Sequence, residues 1–413
     1  MNLIILKTIT FIVLFNTFTF SNWQWVSSGL GGNYPVQAIT SFGNYIYAGT
    51  NLFSNGSMYY STNFGSQWHN MFTNNADVLA AVSDDSFVYL ATDKGIFRTK
   101  NLGQNWEHCL NNNHVFSSII TVNSASTILT CCYDNGNGKI FLSNDFGVTW
   151  TQTLSLGYEI VTLFKTENVI YAGTNGAGVY KSTNNGLNWS QTPLYDENVN
   201  SITAYGSTVF AGTMNNGVLK STDYGQTWSR SLNITDLIFT VAAHGNYIFA
   251  GVYEFKNFYY SSNNGQSWSH LNSGILDPAH SSVRTIHIAG DYIYIGVSNS
   301  MYNGVYRRPL SEIISVQPIS TNIPDHFSLS QNYPNPFNPV TKIKFDISGT
   351  SVAQTFLSVY DIMGREVEIL VNEMLKPGKY EVDWNAANYT SGVYYYKITS
   401  GDFTETRKMV LVK

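Results

Sequence analysis

Charge is scarce in this 413-residue chain, because only 12% of its residues are Asp, Glu, Lys or Arg. Lys and Arg together number 22 against 27 acidic residues, and the basic residues form no run. A nucleic-acid partner is therefore not expected, since phosphate binding needs clustered cations. The hydrophobic share of 43% and the aromatic share of 15% indicate instead a folded chain with ample core.

Cysteine is also rare, and Cys109, Cys131 and Cys132 have neither CxxC spacing nor the spacing of a zinc site. Side chains of adjacent strand residues point to opposite faces, so Cys131 and Cys132 are expected to be two separate packing positions. A disulfide between Cys109 and Cys131 is the alternative in an oxidising compartment. Dinucleotide, P-loop, HExxH and nucleophile-elbow motifs are missing too, so no metal or other cofactor is expected.

Long apolar runs are missing except at the start of the chain. There Lys7 precedes an apolar stretch from Ile9 to Phe15, broken by Thr10. This stretch is shorter than the roughly 20 residues of a membrane-spanning helix. Residues 1–21 are therefore predicted to be a signal peptide, with a retained anchor as the alternative.

One eight-residue pattern recurs six times, as in STDYGQTW from Ser221 to Trp228. The other copies are STNFGSQW, TKNLGQNW, SNDFGVTW, STNNGLNW and SSNNGQSW. Their tryptophans are spaced by 38, 44, 39, 39 and 40 residues, which is typical of a repeated four-stranded unit. In the unit around Ser221, strands are predicted near Ile202, over Thr208–Thr213, over Gly217–Thr222 and from Trp228 onward.

The repeated pattern falls at the hairpin between the third and fourth strands, and its residues suit a turn. An Asp or Asn side chain accepts hydrogen bonds from backbone amides, and a glycine two positions later takes a positive φ. The tryptophan is expected to pack beneath the hairpin. The residues given these roles are Asn63, Gly65, Trp68; Asn101, Gly103, Trp106; Asp145, Gly147, Trp150; Asn184, Gly186, Trp189; Asp223, Gly225, Trp228; and Asn263, Gly265, Trp268.

These six copies resemble the Asp-box, or bacterial neuraminidase repeat, Ser-x-Asp-x-Gly-x-x-Trp, of sialidase-like β-propellers. The resemblance implies an all-β propeller with each box on the side away from the usual binding face. It also implies that the box residues are structural and not catalytic.

The blade count depends on the two ends of the repeat region. Residues 282–310 supply three further strands without a box, and WQWVSSG, from Trp23 to Gly29, is a candidate for the missing fourth. In that interpretation Trp25 precedes the first blade as Trp68 precedes the second. Borrowing this strand would close the ring and remove both exposed edges. Seven blades over residues 22–310 are predicted, with six blades and an unrelated tail as the alternative.

A second domain is predicted at the end of the chain. Residues 311–326 are interpreted as a linker, and the short alternating segments of residues 327–413 predict a small immunoglobulin-like β-sandwich. Three prolines, Pro334, Pro336 and Pro339, exclude a helix or a central strand in their segment.

The sandwich region resembles the type A C-terminal sorting domain of the type IX (Por) secretion system of Bacteroidetes and relatives. The matching residues include Tyr333, Pro334, Asn335, Pro336, Phe337, Asn338, Pro339, Gly364, Arg365, Gly392, Lys408 and Lys413. The resemblance implies export by a signal peptide and then by the type IX machinery, to the outer cell surface, by attachment to a surface glycolipid, or to the medium. Deleting Lys408–Lys413 is predicted to trap the protein in the periplasm. An ordinary immunoglobulin-like or fibronectin-like binding module is the alternative.

Catalytic residues are harder to identify in the propeller. A sialidase needs three clustered arginines, but the region holds only Arg98, Arg230, Arg284, Arg307 and Arg308. Arg98 and Arg230 flank boxes, which places them toward the end of the blade away from the binding face. Sialidase activity is therefore disfavoured.

The binding face should be built by the loops between second and third strands and by the connections between blades. A glycoside hydrolase would need two carboxylates there, from Asp196, Glu197, Asp236, Glu254 and Asp277, with Asp134 a further acid. Tyr133, Tyr195 and Tyr253 could stack on sugar rings, and His114 and His280 fall in the same loops. The prediction is an exported, non-enzymatic binding or scaffold module for a glycan or a protein; a secreted glycoside hydrolase is the alternative. Ordinary solvated loop residues would explain the same acids and tyrosines.

Overall fold

The computed structural model describes residues 22–31, 34–51, 55–72, 76–84, 86–111, 114–122, 126–253, 258–299, 301–314, 318–320, 322–386 and 389–413. Within these ranges the chain forms nine four-stranded sheets, one 3-10 turn at Pro278–His280 and one short α-helix at Ser311–Ile314. Neither helix is long and apolar enough to cross a membrane. The predicted signal peptide, residues 1–21, lies outside the described residues.

Six of the sheets are blades whose four strands follow one another along the chain. Blade 1 consists of Val36–Phe42, Tyr45–Thr50, Met58–Ser61 and His69–Phe72. Blade 2 consists of Val78–Ser83, Val88–Thr92, Gly95–Thr99 and Glu107–Leu110. Blade 3 consists of Val115–Val122, Thr127–Asp134, Asn137–Ser143 and Thr151–Leu156.

The next three blades repeat this order. Blade 4 consists of Ile160–Lys165, Ile170–Thr174, Val179–Ser182 and Ser190–Gln191. Blade 5 consists of Val199–Tyr205, Thr208–Thr213, Val218–Ser221 and Ser229–Leu232, within a residue of the strand limits predicted from its sequence. Blade 6 consists of Ile238–His244, Tyr247–Val252, Phe258–Ser261 and Ser269–His270.

The seventh blade takes its strands from both ends of the propeller. Ser282–Ala289, Tyr292–Ser298 and Gly304–Pro309 are its first three strands, and Gln24–Trp25 is its fourth. The register pairs Gln24 with Arg307 and Trp25 with Tyr306. The first strands of successive blades pack side by side, including blade 7 against blade 1, so the ring is closed. The prediction of an all-β, seven-bladed propeller is confirmed.

The core of the propeller lies between its blades. Seven clusters of buried apolar side chains each join two neighbouring blades, one cluster for each seam. Glycines near the ends of second strands let the next blade approach: a Cβ on Gly212 would lie 2.6 Å from Ile238 Cγ2. Cys131 packs in the seam between blades 3 and 4 and Cys132 in the seam between blades 2 and 3. All three thiols are free.

The last two sheets form a β-sandwich. One sheet has the order Pro318–Ser320, Gly378–Asn385, Val340–Ile347 and Ser328–Leu329; the other has Glu366–Leu375, Ala353–Tyr360, Gly392–Ser400 and Phe403–Leu411. Trp384 is fully buried in the core between them. Residues 311–326, interpreted as a linker, therefore contribute an edge strand, because Pro318–Ser320 pairs with residues of Gly378–Asn385.

The sandwich contacts the propeller through a buried carboxylate. Asn246 Nδ2, in the turn between the first two strands of blade 6, donates to Glu368 Oε1 at 2.7 Å. The other oxygen, Oε2, accepts from Trp384 Nε1 at 2.7 Å. The contact lies at the end of the blades that carries the turns between first and second strands. The opposite end of the propeller receives no contact of this kind among the described residues.

Candidate functional site on the loop face of the propeller

The two ends of the propeller are built differently. We call "box face" the end that carries the six repeated hairpins between third and fourth strands, residues 61–68, 99–106, 143–150, 182–189, 221–228 and 261–268. We call "loop face" the opposite end, formed by the loops between second and third strands and by the connections from one blade to the next. Hydrogen bonding and packing on the box face account for the repeated residues.

In each box hairpin the hydroxyl of the first residue forms hydrogen bonds with later residues of the same turn. In blade 5, Ser221 Oγ donates to Asp223 Oδ1 at 2.7 Å and accepts from the amide of Gly225 at 2.8 Å. Asp223 Oδ1 in turn accepts from the amide of Thr227 at 2.8 Å. The same bonds occur in the other five hairpins, with Thr99 replacing serine once. The Asp or Asn therefore acts on the backbone of its own turn.

The positive φ predicted for the glycine extends to the residue before it. Tyr224 has a φ of 58° and Gly225 a φ of 82°, and each of the other five hairpins has the same pair. Two successive left-handed residues turn the first side chain out of the fold. The exposed Phe64, Phe146 and Tyr224 are therefore explained by the turn and not by a ligand.

The tryptophans tie each blade to the one before it. Trp68 Nε1 donates to the carbonyl of Val26 at 2.6 Å, and Trp106 Nε1 to that of Met71 at 2.8 Å. Each of these acceptors lies three residues after the tryptophan of the preceding blade, as do the hydroxyl acceptors of Trp189 and Trp268, whereas Trp150 and Trp228 bond to the carbonyl of their own box glycine. By this rule the tryptophan of blade 7 is Trp23, which is 3% exposed and donates to Leu271 O at 2.7 Å. The sequence interpretation gave this position to Trp25, which instead lies two residues further on and is 52% exposed.

Cations from third strands brace four of the seven seams. Lys220 Nζ donates to the carbonyl of Asn264 in the next blade at 2.6 Å, and Lys181 Nζ to that of Tyr224 at 3.3 Å. Arg307 does the same to Phe64, closing blade 7 onto blade 1 at 2.5 Å, and Arg98 to Phe146. The acceptor is always the left-handed residue before the box glycine. All five arginines considered for a sialidase site therefore have other partners. Arg98 and Arg307 bond across these seams, Arg308 pairs with Glu312, Arg230 bonds to Asn216, and Arg284 lies over the ring of Phe239.

On the loop face, the predicted tyrosines lie where the sequence placed them. Tyr133 is the penultimate residue of the second strand of blade 3, and Tyr195 lies in the connection between blades 4 and 5. Tyr253 follows the second strand of blade 6 and packs edge-on against Phe239 with ring centroids 5.4 Å apart. All three side chains are exposed, Tyr195 most of all at 63%. They belong to different blades, so the structure does not join them into one cluster.

The predicted acids are held by local partners. Asp134 forms ion pairs with Lys139 Nζ at 2.5 Å and His114 Nδ1 at 3.4 Å, and the hydrogen bond from Lys139 holds the pKa of its carboxyl below the usual value. Asp277 accepts from His280 Nδ1 at 2.9 Å, which lowers its pKa in the same direction. A glycosidase acid needs the opposite shift. Glu254 lies outside the described residues.

One polar network joins a predicted acid, Glu197, to an arginine. Glu197 Oε1 accepts from Asn216 Nδ2 at 2.7 Å, and Asn216 Oδ1 accepts from Arg230 Nη2. Arg230 thus reaches the loop face, which corrects its placement at the box end. A side chain two residues after the box tryptophan points along the strand, away from the hairpin. Neighbouring Asp196 has a φ of 60°, a conformation that non-glycine residues adopt at some energetic cost.

A pocket of about 270 Å³ opens on the loop face between blades 7 and 1. Its lining includes Trp25, Ser27, Tyr34, Thr50, Met301 and Asn303. This pocket could not be predicted from the sequence, because its walls come from segments more than 200 residues apart. The only available signal was the second tryptophan in the short segment Trp23–Gly29. In the part of the chain that the structure describes, no group of three or more His, Cys, Asp or Glu side chains is arranged to hold a metal ion.

In the sandwich, the structure brings the separate sorting motifs together. Phe337, buried in the core, donates its amide to Val410 O at 3.0 Å and accepts from the amide of Val412 at 3.0 Å. Asn335 Oδ1 accepts from the amide of Val410 at 2.9 Å, and Ser391 Oγ from that of Lys413 at 3.0 Å. The proline-rich segment and the last strand therefore form one structural unit.

The remaining sorting residues are mostly exposed, and the predicted deletion test is affected by the fold. Tyr333, Pro334, Asn335, Pro336, Asn338, Gly364, Arg365, Gly392, Lys408 and Lys413 are exposed, while Pro339 is half-buried. Met409 and Leu411 fill the core. Deleting Lys408–Lys413 would therefore remove core as well as surface, so loss of export in that variant would not distinguish recognition from unfolding.

The C-terminal part of the chain matches a known family. Residues 331–413 match the family described as the secretion system C-terminal sorting domain. The second domain is a type IX sorting domain. Such a domain engages the type IX secretion machinery and directs export to the cell surface or the extracellular space. A search of curated proteins gave no match.

Solved structures share the fold at low sequence identity. PorZ, a surface component of the type IX secretion system of Porphyromonas gingivalis, is 14% identical with a TM-score of 0.52, over 93% of this chain and 60% of its own. YCF48 from Cyanidioschyzon merolae is 12% identical with a TM-score of 0.55, over 71% and 99%. An ancestral GH74 enzyme is 15% identical with a TM-score of 0.53, over 94% and 63%. These likenesses show a β-propeller fold and nothing finer.

Proposed function

We propose that the exported propeller is a binding module that recognises a glycan or a protein through its loop face and performs no reaction there. The observation that carries this proposal is the contrast between the two faces. On the box face the repeated polar side chains bond within their turn or to the next blade. The loop face carries exposed tyrosines and a concave pocket, and the sandwich contacts the other end. Exposed aromatic side chains around a concave surface are typical of binding sites.

The competing proposal is a secreted glycoside hydrolase. The feature that favours it is Asp196, exposed in a left-handed conformation beside Glu197, because strained acids occur at active sites. Against it, hydrolysis needs a second carboxylate roughly 5 to 10 Å away across the scissile bond. Asp236 and Asp277 lie in other connections between blades, and Asp277 is engaged by His280.

A combined binding and hydrolysis screen separates the two proposals. The two-domain chain would be applied to a glycan array, and the same glycans would be incubated with the protein and assayed for released reducing sugar. Binding without release is expected. The hydrolase proposal would replace ours if sugar were released by the chain but not by one of the variants Asp196→Asn, Glu197→Gln, Asp236→Asn or Asp277→Asn.

A protein ligand requires a separate arm. If no glycan binds, candidate outer-surface proteins would be tested against the chain and against Tyr133→Ser, Tyr195→Ser and Tyr253→Ser. Binding that depends on these tyrosines would support the module without the glycan. Binding that survives all three substitutions and is lost when box-face side chains are changed would contradict the choice of face.

A further inference from the structure

The pocket between blades 7 and 1 has one wall that its structural role does not explain. Trp25 occupies the position two residues after the box tryptophan of its blade, Trp23. In blades 2, 4 and 5 the residue at this position forms a hydrogen bond with the loop between the second and third strands of the same blade. His108 contacts Lys94 O at 3.0 Å, Gln191 donates to Ala177 O at 2.9 Å, and Arg230 donates to Asn216.

Trp25 makes the equivalent bond with its indole, from Nε1 to the carbonyl of Asn303 at 3.4 Å. A histidine, a glutamine and an arginine anchor the corresponding loops of blades 2, 4 and 5, so an indole is not needed for this bond. The indole adds a large apolar surface that is 52% exposed, although burying it would be favourable. Its edge is fixed by the bond to Asn303, and it lines the pocket.

The rest of the lining limits what the pocket could hold. Among the described residues no charged side chain lines the pocket, although loops on this face carry several acids. A charged ligand would therefore lose its hydration without gaining a counter-charge. Met301, which is 64% exposed, lies at the pocket from the loop of blade 7, and Tyr34 from the connection to blade 1. The lining thus combines aromatic and thioether surface with hydroxyl and carboxamide groups.

We propose that this pocket binds one neutral pyranose ring of a glycan, with the C–H face of the sugar against the Trp25 indole. A pyranose presents an apolar face and a rim of hydroxyls, which matches an aromatic wall beside Tyr34. The side chains of Ser27 and Asn303 already bond to Val305 and Asn299, so they shape the pocket. At about 270 Å³ the pocket is slightly smaller than sites for drug-sized ligands, which begin near 300 Å³. A single ring at the end or along the side of a glycan therefore fits better than a long oligomer. The inference rests on the proposed glycan-binding function and locates it.

The test uses saturation-transfer NMR and titration of the two-domain chain with methyl glycosides of glucose, galactose, mannose and N-acetylglucosamine. The methyl glycoside of N-acetylneuraminic acid serves as the charged comparison, and the N-acetyl amides of leucine and phenylalanine represent peptide side chains. The central variant is Trp25→Gln, because glutamine makes the loop-anchoring bond in blade 4. Met301→Glu changes an exposed loop residue of the pocket, and Met214→Glu is the matched control, because Met214 is an exposed methionine in the loop between the second and third strands of blade 5.

We expect at least one neutral glycoside to bind, and both pocket variants to weaken it by about tenfold or more, the factor that corresponds to the loss of one aromatic contact. Met214→Glu should bind like the unchanged chain. If Trp25→Gln fails to fold, Met301→Glu alone decides the outcome. Sugar binding that is unaffected in the pocket variants would overturn the pocket and leave the proposed function standing. A preference for the amino-acid amides or for the charged sugar would also overturn the pocket. Absence of any saccharide binding would overturn the pocket and the glycan as ligand, and the test with protein ligands would then decide the proposed function.

Discussion

The box face and the loop face belong to the same seven blades, yet residue types recur from blade to blade on the box face and vary on the loop face. On the box face one set of contacts recurs: a hydroxyl and an Asp or Asn close the turn, a tryptophan packs toward the preceding blade, and in four blades a cation bonds to the next blade. On the loop face, one structural position holds a histidine, a glutamine, an arginine or a tryptophan. The residue types that recur from blade to blade hold the ring together, whereas the residue types that differ between blades lie on the face proposed to bind a ligand.

The largest expected effect separates two tryptophans of one strand segment. Trp23→Ala should lower the free energy of unfolding by about 3–5 kcal/mol, because its buried indole packs against Phe258 and bonds to Leu271. Trp25→Gln should lower it by less than about 1 kcal/mol, since the indole is half exposed and glutamine keeps the bond. Urea unfolding of both variants measures the difference. Equal losses would contradict the assignment of Trp23 to the seam.

The next effect concerns the hydroxyl of the box. Ser221→Ala should cost about 1–3 kcal/mol, because the buried amide of Gly225 loses its acceptor. The neighbouring Thr222 is exposed, so Thr222→Ala is the matched control and should change stability by less than about 0.5 kcal/mol. Thermal and urea unfolding report both. A Ser221→Ala variant as stable as its control would show that the turn does not depend on its hydroxyl.

Acid should weaken the box face in a defined range. Hydrogen bonds from Thr149 and Thr227 lower the pKa of Asp145 and Asp223 to about 2, below the value near 4 of an unfolded aspartate. The folded state therefore binds fewer protons, and this stabilisation is complete above about pH 4 and is lost as the pH falls toward 2. The double variant Asp145→Asn, Asp223→Asn should lose less thermal stability over that range than the unchanged chain.

The reverse substitution sharpens this prediction. Asn263 accepts the amide of Ser267 at 2.9 Å and donates to its hydroxyl at 2.9 Å, so Asn263→Asp would reproduce the arrangement of the two natural Asp boxes. Melting temperatures of this variant should fall more steeply between about pH 4 and pH 2 than those of the unchanged chain. Parallel curves for all three proteins would mean that the box carboxylates do not titrate differently on folding.

The smallest effect on stability is expected on the loop face. Tyr195→Ser should change the free energy of unfolding by less than about 0.5 kcal/mol, because the side chain is 63% exposed. Calorimetric melting measures it beside Tyr171→Ser, whose fully buried ring lies in the seam between blades 4 and 5. A large loss for Tyr195→Ser would place it among the structural residues.

Much of the fold could be predicted from sequence, because tryptophans repeat at nearly constant spacing and each marks one fourth strand. The strands of blade 5 were predicted to within about a residue for the same reason. The choice of Trp25 over Trp23 was wrong because blade 7 has no box in front of its fourth strand to set the register. The position of Arg230 was wrong because sequence distance from a box does not show which way a strand side chain points.

The candidate site could be predicted only in outline. The loops that carry Tyr133, Tyr195 and Tyr253 follow from the strand order, so the face was predictable. The partners of Asp134 and Asp277 could not be predicted, since they depend on side-chain geometry. The pocket could not be predicted either, because it exists only once the ring has closed and has brought Trp25 beside Met301.

The most direct test of the central claim is hydrogen exchange, measured by mass spectrometry, of the two-domain chain with and without the glycan or protein that binds it. The account predicts slower exchange in peptides of the loop face, including residues 26–31 and 192–198, with unchanged exchange in the six box hairpins. Protection confined to the box hairpins would contradict the account, because the ligand would then occupy the face assigned to holding the ring together.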